Sequence, residues 1–237
     1  MTDQAMPFMD HLGELRSRLV KSLIGVGVGT LAAFTFHEQI IEILARPYEI
    51  AVDDAPLAFF RPTEAFSLAM SIALFGGVIL ASPVILYQTW RFIAPALTPR
   101  EKRWAVPLTA VFVALFLAGV LAGYWALARG LGFLLGFGGD SLEPVIGAEF
   151  YLSFAMRFVL AFGIAFEFPV FLFAAAAFGA IGSRQLRRGR RWTVLVIVVA
   201  AAFITPSGDP LTMLLLAVPL YVLYEVTILA IRFILKR

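Results

Sequence analysis

Six long apolar segments, with basic residues clustered at every second boundary, restrict this chain to a membrane-spanning helical fold. A run of about 20 apolar residues crosses a bilayer as a helix, because the hydrocarbon core is about 30 Å thick and a helix rises about 1.5 Å per residue. The composition agrees: 61% of the residues are hydrophobic and the mean hydropathy is +0.89. Soluble domains are closer to half apolar. The segments are continuously apolar and lack the period-two alternation of a membrane barrel.

Helices are predicted over Val20–Phe36, Thr63–Trp90, Ala105–Leu127, Tyr151–Ala180, Thr193–Ile204 and Leu211–Phe233. The fifth run is short, and the sixth is interrupted by Pro219 and Glu225. The whole chain, 1–237, reads as one membrane domain. Its expected parts are a cytoplasmic amphipathic helix (1–19), periplasmic loops (37–62 and 128–150), a cytoplasmic loop (91–104) and a basic cytoplasmic loop (181–192). Ile40, Ile41 and Leu44 predict a short surface helix inside the first periplasmic loop.

Charge sets the expected orientation. Arg16, Arg18, Lys21, Arg91, Arg100, Lys102, Arg103, Arg184, Arg187, Arg188, Arg190, Arg191, Arg232, Lys236 and Arg237 fall on one side of the spans. They make up most of the 19 Lys and Arg residues. Arg46, Arg61 and Arg129 fall on the other side, and Arg157 lies inside a span. The positive-inside rule then places both termini in the cytoplasm. The net charge of +3 is thus a sided membrane signature, and no nucleic-acid partner is expected.

The first apolar run follows a polar stretch and lacks a small-residue cleavage site, so it is expected to remain as a span. With no cysteine, there is no thiol chemistry or disulfide. The two histidines, His11 and His37, are expected on opposite faces of the membrane, and no metal or cofactor is expected. There is no phosphate-cradling G-x-x-x-x-G-K-[ST] loop, zinc-binding H-E-x-x-H or G-x-S-x-G nucleophile elbow. The chain is not expected to be an enzyme. Gly25/Gly29 and Gly119/Gly123 have the G-x-x-x-G spacing of close helix packing.

Three acidic residues stand out. Glu14 lies in F-M-D-H-L-G-E-L-R-S-R-L, whose Phe8, Leu12, Leu15 and Leu19 form an apolar helix face. By itself Glu14 reads as the i,i+4 partner of Arg18. Glu101 completes a T-P-x-E capping box with Thr98 and Pro99 and by itself reads as a structural cap. Glu167 is far from both ends of the fourth predicted helix and is followed by Pro169. An ionisable group at that depth is costly, and the proline bends the helix and frees backbone carbonyls. Glu167 and Pro169 therefore mark an expected polar concavity.

Together these strings resemble the TatC family, the multi-spanning core of the twin-arginine protein translocase. The matching segments, in order, are H-L-G-E-L-R-S-R-L at His11–Leu19, P-T-E-A-F at Pro62–Phe66, S-P-V-I-L-Y-Q-T-W-R-F-I-A-P-A-L at Ser82–Leu97, and E-K-R at Glu101–Arg103. They continue with Y-L-S-F at Tyr151–Phe154, F-E-F-P at Phe166–Pro169 and I-T-P-S-G-D-P at Ile204–Pro210. The resemblance covers nearly the whole chain. It implies an all-α integral membrane protein whose six transmembrane helices form a concave bundle. Here Pro206-Ser207-Gly208-Asp209-Pro210 is one residue longer than the family's usual turn, and Pro-Ala-Leu replaces a common Pro-Gly-Leu.

The resemblance further implies a receptor for folded proteins that carry twin-arginine signal peptides, driven by the proton-motive force. It carries the signal-binding role to Glu14 and Glu101, with Arg16 and Phe92 shaping the site. It assigns Glu167 and Pro169 to an intramembrane polar site or partner contact, and Pro47, Pro83, Gln88, Pro95 and Asp209 to structural motifs. The implied partners are the single-span TatA and TatB proteins, other TatC copies and the lipid bilayer. The implied location is the bacterial inner membrane. A proton-coupled secondary transporter or channel is the rival reading. It too would place an acid beside a kinked helix, but it leaves the cytoplasmic polar motifs unexplained.

Overall fold

The computed structural model describes residues 8–52, 57–93, 105–137, 145–177, 179, 181–205 and 208–235. Among the described residues eight helices follow in order: α1 (Phe8–Phe34), α2 (His37–Ala51), α3 (Glu64–Ile93), α4 (Ala105–Gly136), α5 (Ala148–Ala165), α6 (Phe168–Ala177), α7 (Ser183–Ile204) and α8 (Pro210–Ala230). A π-helical turn, Ile231–Leu235, extends α8. Among the described residues there is no strand, only an isolated parallel bridge between Ala58 and Gly147.

Among the described residues five stretches are long and apolar enough to cross a membrane: Leu12–Phe34, Glu64–Phe92, Thr109–Gly136, Ala148–Ala177 and Pro210–Leu235. The fifth expected span falls in α7, and only its second half is apolar. Its first half carries Arg184, Arg187, Arg188, Arg190 and Arg191. The apolar run from Thr193 to Ile204 covers about 18 Å at 1.5 Å per residue. The residues expected as a basic loop are thus largely the first turns of a helix. Gly182 precedes this helix, and its N–H donates to Gln185 Oε1 at 2.9 Å.

Two other boundaries differ from expectation. The amphipathic stretch from Phe8 does not form a separate interfacial helix, because α1 continues through it into the span. No proline interrupts that sequence, so the backbone ladder has no reason to break. The fourth expected helix divides into α5 and α6 at Phe166–Glu167. Pro169 cannot donate to the residue four before it, and its ring crowds that carbonyl. The chain instead turns through bonds from Glu167 N to Ile164 O at 3.1 Å and from Val170 N to Glu167 O at 3.0 Å.

α1 packs chiefly on α3, α4 on α5, and α7 on α8. Glycines permit the first two crossings. A Cβ added to Gly29 would lie 2.6 Å from the Gly77 carbonyl oxygen, and one on Gly119 would lie 2.7 Å from that of Phe162. Gly123 meets Phe162 as closely, so the expected packing role of both G-x-x-x-G pairs is what the fold uses. A large buried cluster joins α2–α5 to α7 and α8 around Tyr48, Ile72, Leu127, Phe158, Phe162 and Leu216. A smaller one holds Leu86, Trp90, Phe112, Phe116, Val170 and Ala174.

Of the altered turn, Pro206 and Ser207 lie outside the described residues, and Gly208–Pro210 lead into α8. Gly208 has φ +61°, in the left-handed region that glycine enters without penalty. Asp209 then caps the helix by accepting from Thr212 N at 2.8 Å, and Pro210 occupies the first turn. Pro219 sits inside α8 without ending it. Glu225 accepts from Arg190 Nη2 at 2.6 Å and from the Tyr221 hydroxyl at 3.1 Å, which ties α8 to the basic half of α7.

Candidate functional site

The crossing of α1 and α3 sets the register of the first site. Gly29 meets Gly77, Gly25 meets Val84, and Arg18 meets Gln88. Moving back along α1 moves forward along α3, as in an antiparallel pair. Continued by one turn, that register puts Glu14 level with Phe92.

Arg18 joins these elements. Its Nε donates to Glu14 Oε1 at 3.1 Å, and its Nη2 donates to the same oxygen. Its Nη1 reaches Gln88 Oε1 at 3.4 Å. The ion-paired side chains are only 13% exposed for Arg18 and 21% for Glu14, so the i,i+4 pair is more enclosed than an ordinary surface pair. Phe92 is half-buried and Arg16 is exposed. Glu101 and Pro95 belong to the connection between α3 and α4 and lie outside the described residues.

Trp90 is 2% exposed, and its ring packs 5.9 Å from that of Phe112, centroid to centroid. Pro83 lies inside α3, and Pro47 is buried inside α2. The resemblance carried Gln88 as a structural residue, and its bond to Arg18 supplies a physical role.

The second site is the break between α5 and α6. Glu167 is 5% exposed, and neither carboxyl oxygen has a hydrogen-bond partner among the described residues. Phe166 and Val170 on either side belong to the two buried clusters. An orphaned buried carboxyl is costly in an apolar medium, which makes it a point that an incoming donor would complete. The surroundings are drier than the polar concavity expected there.

A third polar centre lies at the opposite end of α3 and was missed from sequence. Glu64 is 4% exposed. Its Oε2 accepts from the backbone N–H groups of Phe60 at 2.9 Å and Arg61 at 3.2 Å. Its Oε1 accepts from Glu149 N at 3.1 Å. One carboxylate thus fastens the entrance of α3 to that of α5. Nearby, the Tyr151 hydroxyl donates to Leu44 O and that of Tyr124 to Ile43 O, both at 2.8 Å. The available signal was a Glu in the first turn of a helix, where a carboxylate meets free backbone donors. Among the described residues no group of His, Cys, Asp or Glu is placed to hold a metal.

Residues 10–219 match the family described as Sec-independent protein translocase protein (TatC). A Carboxydothermus hydrogenoformans protein of that name is 37% identical, over 99% of this chain and 96% of its own length. One from Frankia casuarinae is 36% identical over 96% of this chain and 66% of its own length. A crystal structure of the twin arginine translocase receptor TatC in DDM superposes with a TM-score of 0.81 at 40% identity, covering 93% of this chain and 99% of that one. Sequence and fold therefore agree across nearly the full length, and the chain belongs to the TatC family of multi-spanning protein translocase components.

Proposed function

We propose that this chain is the receptor subunit of a twin-arginine translocase, binding twin-arginine signal peptides at the end of the bundle that carries Glu14. The observation that carries the reading is the family match over residues 10–219, combined with an enclosed carboxylate at the α1–α3 junction. Two adjacent guanidiniums need two separately placed acceptors, since each planar fork matches one carboxylate. Glu14 is one, shared with Arg18, and Glu101 is the other. Arg16 and Phe92 border the site. In this reading both termini are cytoplasmic, the membrane is the bacterial inner membrane, and the proton-motive force drives transport.

Glu167 serves as a contact for a partner span. Both of its oxygens are buried and lack a donor among the described residues, a need that a partner's polar group would meet once the helices part to admit it. TatA- and TatB-type proteins and other copies of this chain are the partners that the family relationship supports. Pro169 holds the helix break at which the buried carboxyl lies.

The experiment is binding of a labelled twin-arginine peptide to the purified protein in nanodiscs, beside its Lys-Lys variant. Hydrogen bonds to charged groups contribute about 1.5–3 kcal/mol each, so losing one acceptor weakens binding roughly 10- to 150-fold. Glu14→Ala and Glu101→Ala should each show such a loss, with Arg-Arg preferred over Lys-Lys in the parent. Equal binding of both peptides would refute the recognition model. Glu167-dependent uptake of a small solute would favour the transporter reading instead.

A further inference from the structure

Arg157 is an arginine within a membrane span. It follows Ala148, the first residue of α5, by nine positions, or about 13 Å along the axis. Its side chain is exposed, as is that of Arg61 before α3. Neither forms an ion pair with a carboxylate among the described residues. Both line one cavity of about 300 Å³, together with Glu149, Phe150, Ser153 and Phe154.

Helical geometry explains how the two arginines share it. Phe150, Ser153, Phe154 and Arg157 recur at three- and four-residue steps and form one stripe of α5. Helical side chains lean towards the N-terminus, and a long arginine at depth snorkels towards the interface. The Arg157 head therefore rises along the stripe towards Arg61. The walls are fixed by one group: Glu64 accepts from the backbone N–H of Arg61 and from that of Glu149. The cavity is thus a braced joint between α3 and α5.

We propose that this cavity binds a phospholipid. The lipid phosphodiester lies between Arg61 and Arg157, and an acyl chain lies against Phe150 and Phe154. Two guanidinium forks match phosphate oxygens. Glu149 leaves the lining with a single net positive charge, which neutralises a phosphodiester monoanion and leaves one charge of a dianion such as hydrogen phosphate uncompensated. The stripe continues from the helix entrance into the span, spanning headgroup depth and the start of the hydrocarbon. Phe150 is 72% exposed and supplies apolar surface at that level. The inference is independent of signal-peptide recognition at the other end of α3.

The test is native mass spectrometry of the full chain in detergent, titrated with phosphatidylglycerol. Arg61→Gln and Arg157→Gln should each lower the occupancy of the first bound lipid about fivefold, the effect of one interfacial cation. The double variant should lower it further. Ser153→Phe, which fills the cavity without changing its charge, should do the same. Arg129→Gln removes an arginine stacked 3.7 Å over the Trp125 ring and away from the cavity, and should leave occupancy unchanged. Unchanged occupancy in both the double variant and Ser153→Phe would overturn the proposal. So would displacement of the lipid by millimolar inorganic phosphate, which would make the cavity a simple anion site.

Discussion

At the scale of single residues, the molecule is held by a few carboxylates with dedicated donors. Asp209 caps α8 through Thr212 N, so Asp209→Ala should destabilise the protein by about 1–2 kcal/mol, while Asp209→Asn, also a good cap, should cost little. Thermal unfolding in one detergent compares the two. Glu64→Ala leaves the N–H groups of Phe60, Arg61 and Glu149 without their acceptor. Amide exchange at these three positions should rise, while exchange in the middle of α4 stays slow. Unchanged protection at Glu149 would mean that the bridge is not what closes the joint. Glu167 stands out in the sequence, because an acid followed two residues later by a proline is conspicuous in an apolar run. Glu64 does not, since an acid at a helix entrance ordinarily faces water.

At the scale of elements, the packing of α1 on α3 positions Glu14. Gly77 is the tightest point, where an added Cβ would lie 2.5 Å from Thr30 N. Gly77→Ala should therefore destabilise by about 1–3 kcal/mol through overpacking. It should also weaken signal-peptide binding, because the shift moves Gln88 away from Arg18. Gly13→Ala, with open space around its Cβ, is the control and should be neutral in both measurements. The G-x-x-x-G spacing announced two of these contacts, but Gly77 lies in a plain Gly76-Gly77 pair with no such pattern. The proline predicted a bend in one continuous helix, whereas the fold divides that helix at Phe166–Glu167. The absence of proline allowed α1 to run unbroken through its polar first turns but did not require it, since amphipathic periodicity is the same for a helix lying on a membrane and one projecting from it.

At the scale of the whole molecule, the distribution of charge predicts topology. The chain contains no cysteine, so single introduced thiols report sidedness without background. Glu42 is exposed on α2, and Arg188 is exposed in the basic half of α7. Glu42→Cys should react with an impermeant maleimide added outside spheroplasts. Arg188→Cys should react only after permeabilisation. The opposite pattern would reverse the orientation and move the Glu14 site to the other compartment. The paired α7 and α8 add a further expectation. Arg190→Ala leaves Glu225 with Tyr221 as its remaining side-chain partner, and should increase protease sensitivity in the basic half of α7.

By itself, the sequence determined the solvent, the number of apolar runs, the sided charge and the ordered motifs of the family. These are written locally, in composition and spacing, and each can be read without knowing what lies beside it. Only the tertiary structure decided which distant groups meet. Arg18 and Gln88 are 70 positions apart, Glu64 and Glu149 are 85 apart, and Tyr151 reaches back 107 to Leu44. Such pairs depend on where two helices cross and how each is rotated. Apolar surface on nearly every face leaves that rotation unspecified in the sequence of a membrane helix. Glycine contacts, the break at Glu167 and the carboxylate of Glu64 specify it in the fold.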